Sequence, residues 1–271
     1  MKSLKKICLL CFTIFCFMNM SIFAKSESED MAKLDRIFSG AKNGNYPFTN
    51  VLGEAPEITD FILKNKSAFL ADLNYVLEND TDDLLTLVDK THSLDADFKP
   101  SDLVPLTDKT HYNFYRNDLS LRVPAEKSLS QMADAARADG ITNFVVSSTF
   151  RSYDYQKGLF ERYVKQDGLE LAERYSARPG KSQHQLGTAV DFGSITDDFA
   201  ETRQGRWVYA NAAKYGWSLS FPKGYEPVTG YMWECWHFRY IGVPACRMQE
   251  KWFKNVQQYM IEFIYAWQTS D

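Results

Sequence analysis

The sequence predicts an α+β protein, and three observations predict it. Short apolar runs of strand length, such as 143–147, 217–221 and 237–241, sit among longer stretches with helical periodicity. The two kinds of segment do not alternate regularly, which argues against a parallel α/β sheet. Composition is ordinary for a globular chain, 45% hydrophobic and 24% charged over 271 residues, enough to bury a sizeable core.

Residues 25–79 read as mostly helical. A short amphipathic segment at 30–38 is followed by a loop carrying Gly40, Gly44 and Pro47. Pro56 then starts a second helix, with Ile58, Phe61, Ile62, Phe69, Leu70, Leu73 and Leu77 on or near one apolar face. The run Leu84-Leu85-Thr86-Leu87-Val88 within 82–90 reads as a strand, and Pro100 and Pro105 punctuate an extended stretch. A helix is predicted over 124–138, with Pro at its start and Gly140 just past its end. A buried strand follows at 143–147 and a helix at 153–166. Another helix over 206–215 is stopped by Gly216. Strands at 217–221 and 237–241 and a closing helix at 252–267 complete the chain. It contains no internal repeat.

The first 24 residues stand outside this plan. Lys2, Lys5 and Lys6 precede an uncharged apolar run from Ile7 to Phe23, and Ala24 offers a cleavage point before Lys25. This is the layout of a secretory signal peptide, so the protein is expected to be exported to the periplasm or cell envelope. The length of the run leaves an uncleaved membrane anchor as the alternative. Cleavage would take three lysines away and move the net charge from −4 to −7, a sign that excludes nucleic acid as partner. Three of the five cysteines leave with the signal, and Cys235 and Cys246 remain as either a disulfide or two separate thiols.

Chemistry concentrates in two stretches. Residues 182–192 read Ser-Gln-His-Gln-Leu-Gly-Thr-Ala-Val-Asp-Phe, and 234–237 read Glu-Cys-Trp-His. Together they supply His184, Asp191 and His237, three side chains of the types that hold a catalytic zinc, and a free carboxylate in Glu234. Catalytic zinc takes three protein ligands and keeps the fourth position open, and the absence of a Cys ligand argues against a closed structural site. Gly187 and Ala189 let the chain turn tightly between His184 and Asp191. Two of only four histidines fall in these motifs. His92 and His111 have no partner motif and read as surface or packing residues.

The pattern Ser-x-His-x-x-Gly-x-Ala-x-Asp followed by Glu-x-Trp-His resembles the LAS metallopeptidases, specifically D-alanyl-D-alanine carboxypeptidases of the VanY type. Leu84 to Lys90, Phe98 to Val104, the Ser147 to Gln156 segment, Thr229 to Glu234 and His237 to Gly242 extend the likeness over about residues 81–245. The resemblance implies a small, mostly antiparallel sheet with flanking helices, preceded here by the short helical segment. It also implies three regions: a signal at 1–24, a helical preface at 25–80 and a zinc carboxypeptidase domain at 81–271.

Carried over to this chain, the resemblance implies one zinc per chain bound by His184, Asp191 and His237. Glu234 becomes the catalytic base, and Arg151 steadies the developing oxyanion. Gln156 and Ser182 become hydrogen-bond partners of the substrate's C-terminal end. The implied substrate is a peptidoglycan stem peptide losing its terminal D-Ala. L,D-carboxypeptidase, D,D-dipeptidase and wall endopeptidase activities remain as alternatives, and so does a non-catalytic wall-binding module. Cys235 stands where the family usually has Pro, Thr149-Phe150 where it has Gly-Tyr, and the segment after Pro244 is unlike its usual ending. Arg239 is expected to brace its strand rather than reach a substrate carboxylate.

Overall fold

The structure, a computed structural model, describes residues 27–40 and 55–270. The apolar run, the cut after Ala24 and the loop around Gly44 and Pro47 lie outside the described residues. The chain divides into two compact units, one comprising Met1–Asp72 with Ala266–Asp271 and the other Leu73–Tyr265.

Among its described residues the first unit is helical. Helix α1 spans 27–40, so Gly40 falls inside it rather than in a loop. It buries Leu34, Ile37 and Phe38. Helix α2, Pro56–Lys64, has proline in its first turn and buries Ile58 and Ile62. The second helix expected from the apolar periodicity is broken at Asn65, whose Nδ2 donates to Phe61 O at 2.8 Å, and resumes as α3, Lys66–Asn79. Phe61, expected on or near the apolar face, is 47% exposed. Lys66 pairs with Asp35, joining α3 to α1.

The second unit holds two sheets. Strands β1 (Leu103–Pro105) and β3 (Ser120–Arg122) form an antiparallel ribbon. The main sheet has five strands in the order β2 (Asn113–Phe114), β4 (Val145–Ser148), β5 (Ala189–Phe192), β7 (His237–Tyr240) and β6 (Trp217–Leu219). Among the described residues only the β2–β4 pair is parallel, so the sheet is mostly antiparallel as expected. Every residue of β5 is buried, which is why its sequence shows no in–out alternation.

Helix α4 (Val123–Ala138) covers this sheet, packing Leu129, Met132, Ala133 and Ala136 into a core with Phe144, Val190, Phe192, Trp217 and Phe238. Helix α5 (Tyr153–Asp167) is capped by Ser152, whose Oγ accepts from Tyr155 N, and α6 (Leu169–Tyr175) follows directly. Helix α7 (Arg203–Asn211) is capped by Thr202, starts three residues before its expected position and tightens into a 3-10 turn at Ala212–Tyr215 before Gly216. The short α8 (Glu226–Thr229) precedes the second motif, and α9 (Val243–Trp252) and α10 (Gln257–Thr269) end the fold.

Two further expectations are corrected. Residues 82–90 form turns and not a strand. Leu84, Leu85, Leu87 and Val88 are buried as a strand would bury them, but side chains satisfy the backbone. Asp80 accepts from Leu84 N and Leu85 N, and Arg239 Nη2 donates to Leu84 O and Thr86 O at 2.6 and 2.8 Å. The closing helix is two helices. Lys254 and Asn255 adopt φ of 53° and 58°, which ends α9 and redirects the chain into α10.

Candidate metal centre

Each of the three expected ligands is placed by backbone structure. His184 sits on a 3-10 turn, Gln183–Leu186, whose start is capped by Ser182 Oγ accepting from His184 N. Gly187 closes the turn at φ +70°, and a Cβ there would stand 2.8 Å from Leu103 Cδ2. The chain then enters β5, where Asp191 pairs with His237 of β7 on one side and Ser148 of β4 on the other.

These placements bring His184 Nε2 to 3.3 Å from Asp191 Oδ2, and His237 Nδ1 to 3.0 Å from Asp191 Oδ1. Ligand atoms of the three residues all lie within 4.8 Å of one another, the one such group among the described residues. Two ligands held 2.0–2.1 Å from a tetrahedral centre stand roughly 3.3 Å apart, so the spacing suits zinc.

The other ring nitrogens are occupied. His184 Nδ1 faces Thr149 O at 2.6 Å, and His237 Nε2 faces Gln183 Oε1 at 3.2 Å. A proton on each of those nitrogens leaves Nε2 of His184 and Nδ1 of His237 as bare lone pairs. In keeping with this, His184 Nε2 and Asp191 Oδ1 are buried with no hydrogen-bond partner. Buried acceptors aimed at one another are costly unless a cation sits among them. The donor set therefore fits a metal ion.

Electrostatics agrees. Burial, then the charge of Arg151, lowers His184 to about 4, so it is neutral and ligand-competent at pH 7. Glu234 Oε2 lies 3.6 Å from His237 Nδ1. Burial, then the charge of Asp191, lifts its carboxyl well above 4.5, opposed by Arg151 and Lys90. Arg151 Nη1 stands 3.7 Å from Asp191 Oδ2 and donates to Ser148 Oγ at 3.2 Å.

Arg151, Ser182, His184, Asp191, Glu234 and His237 line one cleft of about 310 Å³. Gln156 is not on its walls. The Gln156 amide donates to Ala177 O at 2.7 Å, behind the lining, and Oε1 is buried without a partner. The walls also include Asp89, Phe221, Tyr231, Trp236 and Gln258, to which sequence reasoning gives no role. Tyr231 lies inside the Thr229 to Glu234 motif and is the most findable of these. Its ring carries the Lys90 ammonium 3.7 Å from its centroid. Arg239 is fully buried as a brace, and Cys235 and Cys246 are separate buried thiols. His92 and His111 pair with Asp89 and Asp134 and are not members of the ligand cluster.

Comparison with known proteins gives this geometry a family. Residues 118–243 match the family model described as VanY, D-alanyl-D-alanine carboxypeptidase. YodJ of Bacillus subtilis (strain 168), a protein named for carboxypeptidase activity, is 34% identical over 190 residues, covering 65% of this chain and 69% of that one. The chain belongs to the VanY carboxypeptidase family.

Two solved structures bracket this VanY-family enzyme. The LdcB LD-carboxypeptidase, solved to explain peptidoglycan recognition, has a TM-score of 0.60 and 33% identity, covering 66% of this chain and 86% of that one. The D,D-pentapeptidase VanY of a VanB-type resistance cassette, a mutant form in complex with Zn(II), has a TM-score of 0.52 and 26% identity, covering 66% and 98%. The family match ends at the first residue of α9, so α10 lies beyond it.

Proposed function

We propose that this VanY-family enzyme is a zinc-dependent D-alanyl-D-alanine carboxypeptidase that removes the terminal D-Ala of peptidoglycan stem peptides. One zinc per chain would be held by His184 Nε2, the Asp191 carboxylate and His237 Nδ1. The observation that carries this reading is the convergence of those buried acceptors, with the second nitrogen of each imidazole already engaged. Bound there, zinc supplies Lewis acidity, which acidifies the attacking water and polarises the scissile carbonyl.

The remaining steps belong to side chains. Glu234 is next to the ligands without being one of them, and its carboxylate takes the proton from the water and returns it to the leaving amine. A base whose pKa is raised by burial holds that proton more firmly than an ordinary carboxylate. Arg151 offers a fixed cation to the oxygen that becomes negative during attack, in a site where burial keeps the interaction strong. Ser182 stands on the cleft wall for the substrate's C-terminal end. Gln156, off the cleft wall, would bear on that end only indirectly, through its hydrogen bonds to Ser176 and Ala177.

The apolar N-terminal run is taken as an export signal, which would deliver the enzyme to its substrate outside the membrane. Residues 25–80 are taken as a packing or spacer preface.

A second reading is L,D-carboxypeptidase, favoured by the likeness to LdcB at 33% identity. Mass spectrometry of stem pentapeptide and tetrapeptide, incubated with the protein from Lys25 onward with and without chelator, separates the two. Loss of one alanine from the pentapeptide, abolished by chelator and restored by zinc, is the expected result. Loss only from the tetrapeptide would select the L,D reading, and no cleavage of either would overturn both.

A further inference from the structure

Behind His237 lies a chain of buried amides and hydroxyls that ligand chemistry alone does not explain. Gln183 stands beside His184, Ser218 lies on β6 and Ser220 just after it, and Gln257 is the first residue of α10. All four are buried, so no bulk water offers their polar atoms another partner.

Burial makes the chain directional. Gln257 Nε2 donates to the backbone carbonyl of Ser218 at 3.4 Å, a group that can only accept. That turns Gln257 Oε1 towards Gln183, whose Nε2 donates to it at 3.3 Å. Gln183 Oε1 then faces forward, accepting from Ser220 Oγ at 2.7 Å and standing 3.2 Å from His237 Nε2. An acceptor at that nitrogen requires a proton on it, which leaves the lone pair on Nδ1, the atom that faces Asp191. With both amides reversed, Gln257 Oε1 would meet the Ser218 carbonyl, two acceptors in contact. Gln183 would present N–H to His237, forcing its proton onto Nδ1 and spoiling it as a ligand.

We propose that Gln183 and Gln257 are positioning residues for the metal centre, relaying the polarity of the Ser218 carbonyl to the tautomer of His237. The inference rests on the zinc reading above. It also gives a role to the C-terminal segment beyond the family match. Ser218 Oγ donates to Gln249 Oε1 at 2.8 Å, and Gln249 Nε2 donates to Asn255 O and Oδ1 at 3.1 and 2.8 Å. The turn that launches α10 is thus pinned to the strand whose carbonyl starts the relay, and Gln257 is aimed back at Gln183.

The test uses the full chain and two readouts. Zinc affinity is measured by competition with a chromophoric chelator, and the His237 tautomer by nitrogen NMR of histidine-labelled, zinc-loaded protein above pH 7. Gln183→Leu is expected to weaken zinc binding by about 10–100-fold, the usual cost of losing such a partner. Gln257→Leu should weaken it less, and Gln183→Glu, which keeps an acceptor at His237 Nε2 but sets a second oxygen against Gln257 Oε1, should restore only part of the loss. Wild-type His237 should carry its proton on Nε2. Undiminished zinc affinity in Gln183→Leu, or a proton on Nδ1 in the wild type, overturns the inference. If Gln183→Leu does not fold, the wild-type tautomer decides alone. A wild type that takes up no zinc overturns the zinc reading instead, and the relay with it.

Discussion

Asp191 and His237 are direct partners across β5 and β7, with Asp191 Oδ1 3.0 Å from His237 Nδ1. Two of the three candidate ligands are therefore positioned by sheet register and not by loop conformation. A slip of one residue would send either side chain to the opposite face, so the same hydrogen bonds that hold the sheet hold the site.

Because Glu234 lies 3.6 Å from His237 Nδ1 but outside the candidate ligand cluster, Glu234→Gln should separate chemistry from metal binding. The expected result is a fall in kcat of about 10²–10⁴-fold with zinc content unchanged by elemental analysis. Loss of zinc together with activity would show that Glu234 is a ligand and not the base.

Gly187 closes the turn that carries His184, and its φ of +70° and the 2.8 Å approach to Leu103 Cδ2 both resist a side chain. Gly187→Ala is expected to cost ~2–4 kcal/mol, combining left-handed strain with overpacking. Denaturant unfolding measures this directly. Wild-type stability in the variant would mean that the turn relaxes freely.

Arg239 satisfies two carbonyls of the 82–90 segment from a position 1% exposed. Arg239→Met should leave Leu84 O and Thr86 O unpaired at ~1–3 kcal/mol each. Protease accessibility around Leu84 should rise in parallel with the loss of stability. A variant that melts like the wild type would remove the brace from this account.

Glu262 gives the fold a dependence on pH. Burial, helped by the charge of Asp89 and opposed by the Gln258 hydrogen bond, lifts its carboxyl from 4.5 to about 8. Between those values the folded protein keeps a proton that the unfolded chain has released. The neutral carboxyl's contribution is therefore complete below pH 4.5 and is lost as pH rises towards 8. At ~1.4 kcal/mol per unit, the loss is of the order of a few kcal/mol. Glu262→Gln should flatten this slope and be the more stable protein above pH 8, as read by urea unfolding at about pH 5, 7 and 9. An unchanged slope would place the effect on another group.

The clustering of His184, Asp191 and His237 was legible because these residue types are rare and stand in short local motifs. Two of four histidines, one aspartate and one glutamate stand in two short motifs, and their neighbours restrict what they can do. The polar residues packed behind them were not legible. Gln183, Ser220 and Gln257 are common residue types scattered over 74 positions, and only the folded chain shows that they meet. The run at 82–90 looked like a strand because hydrophobicity reports burial, whereas its hydrogen bonds go to Asp80 and Arg239, far apart in sequence. The break before α10 was hidden for a similar reason. Phe253 and Val256 are buried on either side of it, so the apolar pattern continues through a turn that only the φ values of Lys254 and Asn255 reveal.

The two outer strands of the main sheet are short: β2 has two residues and β6 has three. A strand offered from a second copy of the protein would find only a few unpaired amides and carbonyls along either margin. The central strands that hold Asp191 and His237 are thus shielded from intermolecular β-pairing, and aggregation through this sheet has almost no template on which to begin.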